Sequence, residues 1–415
     1  MPRLVNRKEL VRSVDVKILT DLVLHDVLDS SSDEEDEMLC ETDGSSSEDD
    51  EQIKIAVVRY FATQSRYLSA RVNSPKTKEL AYLIFQSDEL TFKRNARMTR
   101  QAFFAVVDKI GSHIVFRNKS HHEQAPVPDQ LMVALSRFGF DDSASSLWTA
   151  GSRLGIGEGT VSLYTERVMY ALLSLEKTVV TWPNTSERAT IKARIEKNQG
   201  FPHCLGYVDG SLIGLQEAPS MCGEDYYTRK GSYAINAMIV CDDLKRIRHV
   251  FAGFPGCSHD HRVFMYSKLA LNPFKYFSGH EYLLADSAYP VSDIIVPTFK
   301  KPLANSHENT AFNTAHSQAR VIVEQTIGML KGRFQSLKAL RLRIKNKKDH
   351  EFAVYWIRTC CMLHNMLLDD EYDEEWTVED DGDDGPIPNP NQQAVATERG
   401  STKRERIKQY VSRWQ

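Results

Sequence analysis

Four acids, Asp209, Asp260, Asp286 and Glu324, stand in stretches whose other residues read as core or tight turn. Asp209 interrupts "HCLGYVDGSLIGL", Asp286 closes "HEYLLAD", and Asp260 sits inside "PGCSHDHRVF". Glu324 lies in "ARVIVEQTIGMLKGRF", where Val321, Val323, Ile327, Met329, Leu330 and Phe334 read as core. A carboxylate left unpaired among apolar groups costs several kcal/mol or gives up its charge. Several acids brought to one point repel each other and resist ionisation. A divalent cation resolves that conflict, and hard oxygen ligands of this kind suit Mg²⁺ or Mn²⁺. Two such ions clamp the attacking and leaving oxygens of an in-line phosphoryl displacement, with no covalent nucleophile on the protein.

A plainer reading of Glu324 makes it the wet edge of an amphipathic helix. At about 100° per residue, Arg320, Lys331 and Lys338 fall within about 40° of Glu324 on a helical wheel. That gives a polar stripe with basic neighbours. Such a stripe suits a metal ligand beside a phosphate track, with Arg320, Lys331 and Lys338 as DNA contacts. A salt-bridged surface face would look similar. Two other constellations are weaker. "CSHDH" offers Cys257, His259 and His261 to zinc, without a second ligand pair at structural spacing. "CCMLHN" sets Cys360 and His364 at i, i+4 in surroundings apolar enough for a packed helix.

The elements that must position these acids follow from periodicity. "HCLGYVDGSLIGL", "YAINAMIVCD" and "IRHVFAGFPG" read as strands, then "HEYLLADS" and "IIVPTF" as two more, before the long helix that carries Glu324. Asp286 then lies at the C-terminal end of a strand, where open α/β sheets collect ligands. A run of antiparallel strands followed by strands alternating with helices predicts an α/β fold, a mixed sheet with flanking helices. Upstream, "FKRNARMTRQAFFAVVDKI" places Phe103, Val106, Val107 and Ile110 at helical spacing behind Thr99 as N-cap. Residues 127–177 read as three helices, the second capped by Ser143. Ala150, Leu154, Gly155, Ile156 and Val161 follow a helix-turn-helix pattern. Val161, Val168 and Leu172 then face inward, and Thr160, Ser162 and Arg167 are available to DNA.

Charge is sharply segregated behind a net of -4. Residues 29–51 hold 12 acids and no Lys or Arg, and residues 369–384 hold 11 acids and no Lys or Arg. Residues 53–368 carry 41 Lys and Arg against 27 Asp and Glu, a net of +14. A basic body flanked by acidic segments points to a polyanionic partner such as DNA. The acidic, serine-rich stretch predicts disorder, as a solubilising linker or as a mimic competing for the basic body. Seven scattered cysteines, with no CxxC pair, suit reduced thiols in cytosol or nucleus. No membrane span and no secretory leader are expected. "TKRERIKQY" reads as a nuclear-entry signal or a short basic helix.

Several stretches together, in order and spacing, resemble the PIF/Harbinger transposase superfamily: "FKRNARMTRQAFFAVVDKI", "LGYVDGS", "YAINAMIVCDD", "GFPGCSHDHRVF", "LLADSAYP", "ARVIVEQTIGMLKGRF" and "TCCMLHNMLL". They span about Phe92 to Leu368. "VDGS" and "VEQTIG" depart from the usual wording of the family, with the acids intact. The resemblance implies an RNase H-like catalytic domain with a DDE triad at Asp209, Asp286 and Glu324. It implies metal binding by these three, with Asp260 as a further metal-site acid. It also implies a Myb/SANT-like DNA-binding partner protein and action in the nucleus. The expected organisation is an arm over 1–52, a helical region over 53–195, an RNase H-like nuclease domain over 196–370, and an acidic tail with a short basic helix over 371–415. A homo-oligomer is an open expectation. The expected function is a metal-dependent DNA endonuclease or transposase. The alternative is a domesticated, catalytically silent DNA-binding protein that keeps the fold.

Overall fold

Alternation with period two decides which side chains of a strand meet, and in this chain it divides two apolar layers across one sheet. In the computed structural model, which describes residues 55, 79–373, 376 and 397–414 less 119, 120 and 122, five strands form that sheet. They are β1 (Cys204–Leu215), β2 (Tyr233–Cys241), β3 (Ile247–Pro255), β4 (Tyr282–Ala285) and β5 (Ile295–Pro297). Their order is β3-β2-β1-β4-β5. The β1–β2 and β2–β3 pairs are antiparallel, and the β1–β4 and β4–β5 pairs are parallel. All five strands lie where periodicity places them, in a mixed sheet with flanking helices. The arm expected over 1–52, its acidic stretch and most of the acidic stretch after Asp369 lie outside the described residues.

Among the described residues, seven helices of eight residues or more precede the sheet: α1 (Glu79–Gln86), α2 (Glu89–Ala96), α3 (Arg100–Gly111), α4 (Val127–Phe138), α5 (Leu147–Leu154), α6 (Glu158–Leu173) and α7 (Thr185–Gln199). Thr99 caps α3 as expected, accepting from Ala102 N, and Phe103, Val106 and Ile110 are buried. The cap of α5 is Ser146 rather than Ser143, because Ser143 is taken into a short 3₁₀ turn and the helix starts later. Gly155 ends α5 at φ 65°, a left-handed position that suits glycine. A Cβ on Gly151 would lie 2.7 Å from Ile156 O, so it is this glycine that lets α5 meet the following turn. Val161, Val168 and Leu172 of α6 are buried.

On one face of the sheet, Tyr207, Ile213, Ile239 and Leu284 join one core with α9 (His307–Arg333), α10 (Lys347–Met366) and the N-terminal helices. Phe138 of α4 meets Trp356 of α10 edge to face, with ring centroids 4.7 Å apart. The helical region and the sheet thus share one core. The boundary expected at 195/196 falls inside α7 and divides elements rather than independent units. On the other face, Val208, Met238, Val240 and Ala285 pack with Val263 and Phe264 of α8 (Asp260–Met265) and with Tyr289.

The basic C-terminal stretch forms α11 (Glu398–Trp414), 17 residues long and docked on the body. Ile407 and Val411 are buried, and the Arg404 guanidinium lies 3.9 Å from the Phe299 ring centroid. Lys408 pairs with Glu405 and Glu308. An amphipathic helix buries its apolar stripe where it can, and this one closes over α9 and β5 instead of trailing as a tail.

A candidate metal centre where two parallel strands end

β1 and β4 run parallel, and their last paired positions are Val208 and Ala285. Asp209 and Asp286 are each the next residue, so both carboxylates leave adjacent strands at the same height. They share a face, because Tyr207 and Leu284, two residues earlier, belong to one core. That face is the one α9 covers. Arg320 on α9 reaches it: its Nη2 donates to Asp209 Oδ2 at 2.8 Å, and its Nη1 lies 3.7 Å from Asp286 Oδ1 and 4.0 Å from Glu324 Oε1. Three acids from three elements therefore surround one guanidinium. Glu324 itself is 53% exposed and can rotate.

Burial pushes the Asp209 carboxyl up to about 7; the Arg320 guanidinium opposes that shift, and the charges of Asp260 and Asp286 add to it. One monovalent cation serves three acids here, which is the charge deficit that a hard divalent ion relieves. The oxygen-only donor set fits Mg²⁺ or Mn²⁺. Among the described residues, no three His, Cys, Asp or Glu side chains stand as a ready-made ligand set, since the guanidinium lies between them.

Asp260 is placed differently. It opens α8, and its Oδ1 accepts from Asn236 Nδ2 at 2.8 Å. A Cβ on Gly210 would lie 2.1 Å from that same oxygen. Gly210 follows Asp209 in the strand, so Asp260 packs against the sheet face opposite to the Asp209 side chain. Asn236 and Gly210 were not singled out from sequence, although both lie in the quoted motifs. Tyr289 is a third such residue. Its hydroxyl is buried without a hydrogen-bond partner, and burial with the charges of Asp260, Asp209 and Asp286 drives its ionisation far upward.

Parts of the expected stripe on α9 do not form. Val321 is 41% exposed rather than core. Lys331 is buried, because the chain after α10 folds back over the last turn of α9: a Cβ on the adjacent Gly332 would strike Trp376 O. Lys338 lies beyond the helix, which ends at Arg333, so its helical-wheel position does not apply. Of the three cations, Arg320 alone is placed with Glu324. On α6, Ser162 is exposed while Thr160 and Arg167 are half-buried. Cys257 is exposed and belongs to no cluster of three metal-ligating side chains among the described residues. His364 is packed, as its surroundings predict, with Nε2 2.9 Å from Lys245 O.

Residues 208–365 match the family of DDE superfamily endonucleases. The match begins one residue before Asp209 and contains all four acids. Among curated proteins, the chain is similar to Antagonist of Like Heterochromatin Protein 1 of Arabidopsis thaliana, 24% identical over 303 residues, which are 68% of this chain and 74% of that protein. It is likewise similar to HARBI1 of Mus musculus, named as a candidate nuclease, 25% identical over 293 residues, 70% of this chain and 79% of that protein. These matches support a resemblance to Harbinger transposase-derived nucleases. No solved structure matches it. The DDE domain so defined runs from the middle of β1 to the end of α10 and contains the elements that carry the acids.

No helix among the described residues is long and apolar enough to cross a membrane.

Proposed function

We propose that this chain is a divalent-metal-dependent DNA endonuclease of RNase H-like fold, with strand transfer as a second capacity. The observation that carries the proposal is the convergence of Asp209, Asp286 and Glu324 on Arg320 from two parallel strand ends and one helix. In this reading Asp209 and Asp286 are fixed ligands for Mg²⁺ or Mn²⁺, and Glu324 completes the set by rotating from its exposed rotamer. Bound cations would supply positive charge to a phosphodiester and to the water that attacks it. Asp260 supports the floor of the site through Gly210 and Asn236 and is a further metal-site acid only if its carboxylate leaves that pocket. Arg320 holds the acids together and faces the incoming phosphate. Thr160, Ser162 and Arg167 on α6 are proposed DNA contacts, and a Myb/SANT-like protein in the nucleus is the proposed partner.

The test is nicking of a labelled DNA duplex by purified protein in Mg²⁺ or Mn²⁺, with the partner supplied. Wild type should nick, and Asp209→Asn, Asp286→Asn and Glu324→Gln should each lose at least about a hundredfold in rate. Double variants should be little worse than singles, because the groups act as one unit. Equal nicking by wild type and Glu324→Gln would return Glu324 to the wet edge of its helix.

A further inference from the structure

Beyond Val208 the β4 side of β1 loses its strand partner, and the edge is taken up again only near Leu215. There an extended segment following α9 lies alongside. Leu340 N donates to Gly214 O at 2.7 Å, Gln216 N to Leu340 O at 3.1 Å, and Ser220 N to Ile344 O at 2.9 Å. The candidate metal centre thus sits in a notch between the end of β4 and this segment. From Lys338 to Lys345 the segment holds four Lys and Arg and no acid, and Lys347 and Lys348 follow in the first turn of α10. Its burial alternates. Leu340, Leu342 and Ile344 join the core, while Arg341, Arg343 and Lys345 are exposed.

Extended backbone spaces alternate side chains about 7 Å apart on one side. Three cations at that repeat face a linear polyanion in a way that scattered surface lysines do not. Arg343 does meet Glu217 at 2.9 Å, but both side chains are more than half exposed, and a solvated pair of this kind yields readily. The bridge at Leu215 lies six residues from Asp209, about 20 Å at strand rise, so the ladder stands about six base pairs from the acids.

We propose that Arg341, Arg343 and Lys345 form a phosphate-binding ladder for the duplex DNA that flanks the phosphodiester at the metal centre. The proposal rests on the nuclease reading for its choice of ligand. It assigns the basic body's grip on DNA to the sheet edge as well as to α6, whose exposed positions Glu158, Gly159, Ser162, Leu163 and Tyr170 include no cation.

The experiment is equilibrium binding of a labelled DNA duplex to the full chain across a salt series. The triple variant Arg341→Ala, Arg343→Ala, Lys345→Ala should bind about tenfold to a hundredfold more weakly at low salt. Its log–log salt slope should be shallower by about three. Arg343→Lys should keep wild-type binding, and Arg343→Glu should weaken it more than Arg343→Ala, a series that stands even if the triple variant folds poorly. Unchanged affinity and slope in the triple variant, or Arg343→Glu binding as wild type does, would overturn the ladder. Preference for duplex RNA over duplex DNA would overturn it too. If wild type fails to nick yet its binding depends on the three cations, the nuclease reading falls and the ladder stands. If wild type nicks and the variants bind unchanged, the ladder falls alone.

Discussion

Arg320 is the residue on which the site turns. Its side chain is mostly buried between Asp209 and Asp286, and its Nε has no hydrogen-bond partner. A buried guanidinium is held there by the acids as much as it holds them, since removing either side leaves a charge uncompensated. Arg320→Ala should therefore lower the melting temperature of the metal-free protein. Mn²⁺ should then raise that temperature more in the variant than in wild type, because the cation no longer competes with the guanidinium. Differential scanning fluorimetry with and without Mn²⁺ reads both effects. An equal metal response in the two proteins would show that Arg320 and the cation do not share a position.

At the scale of elements, backbone contact sets the geometry of the site. The paired ends of β1 and β4 align Asp209 with Asp286, and α9 brings Arg320 and Glu324 across one face. At the far end of β1, a Cβ on Gly214 would lie 2.3 Å from Lys338 O, so the extended segment and the strand touch main chain to main chain. Gly214→Ala should push the 338–345 segment outward and cost about 1–3 kcal/mol of stability by overpacking. If the segment carries the ladder, DNA affinity should fall with it although no cation has changed. Urea denaturation and duplex binding on the same preparation separate the two effects.

For the whole molecule, α11 and two buried histidines bear on stability. Removing residues 398–415 would uncover the surface under Ile407, Val411 and Trp414, whose ring packs on Gly200. The two aliphatic side chains alone correspond to about 3–5 kcal/mol of burial, an upper estimate. The truncated protein should melt well below the full chain. Burial also holds the imidazoles of His316 and His364 down to about 4, each with Nε2 at a backbone carbonyl. Both are neutral in the folded state at pH values where the unfolded chain already takes up their protons. Stability should thus fall as pH drops from about 6.5 toward 4, by up to about 1.4 kcal/mol per pH unit for each histidine. His364→Gln should flatten that slope by one histidine's share in denaturant titrations over the same range.

What the sequence by itself determined is local and periodic. The five strands, the three helices over 127–177, the turn at Gly155 and the three acids Asp209, Asp286 and Glu324 were all legible, because alternation, helical spacing and motif order are properties of neighbouring residues. Only the tertiary structure decided which neighbours those acids have. Nothing along the chain says that β4 lies beside β1, and that pairing is what sets Asp286 level with Asp209. The helical wheel grouped Lys331 and Lys338 with Glu324, yet one is buried by residues that return after α10 and the other lies past the end of the helix. Asp260 read as a further metal-site acid beside the triad, and its contact with Gly210 sets it on the opposite face of the sheet. The basic C-terminal stretch read as a nuclear-entry signal or a short basic helix because its charge is visible in sequence, whereas the surface that receives Ile407 and Val411 is not. Burial and proximity arise from segments far apart in sequence, and a one-dimensional pattern carries the propensity of each segment without its partner.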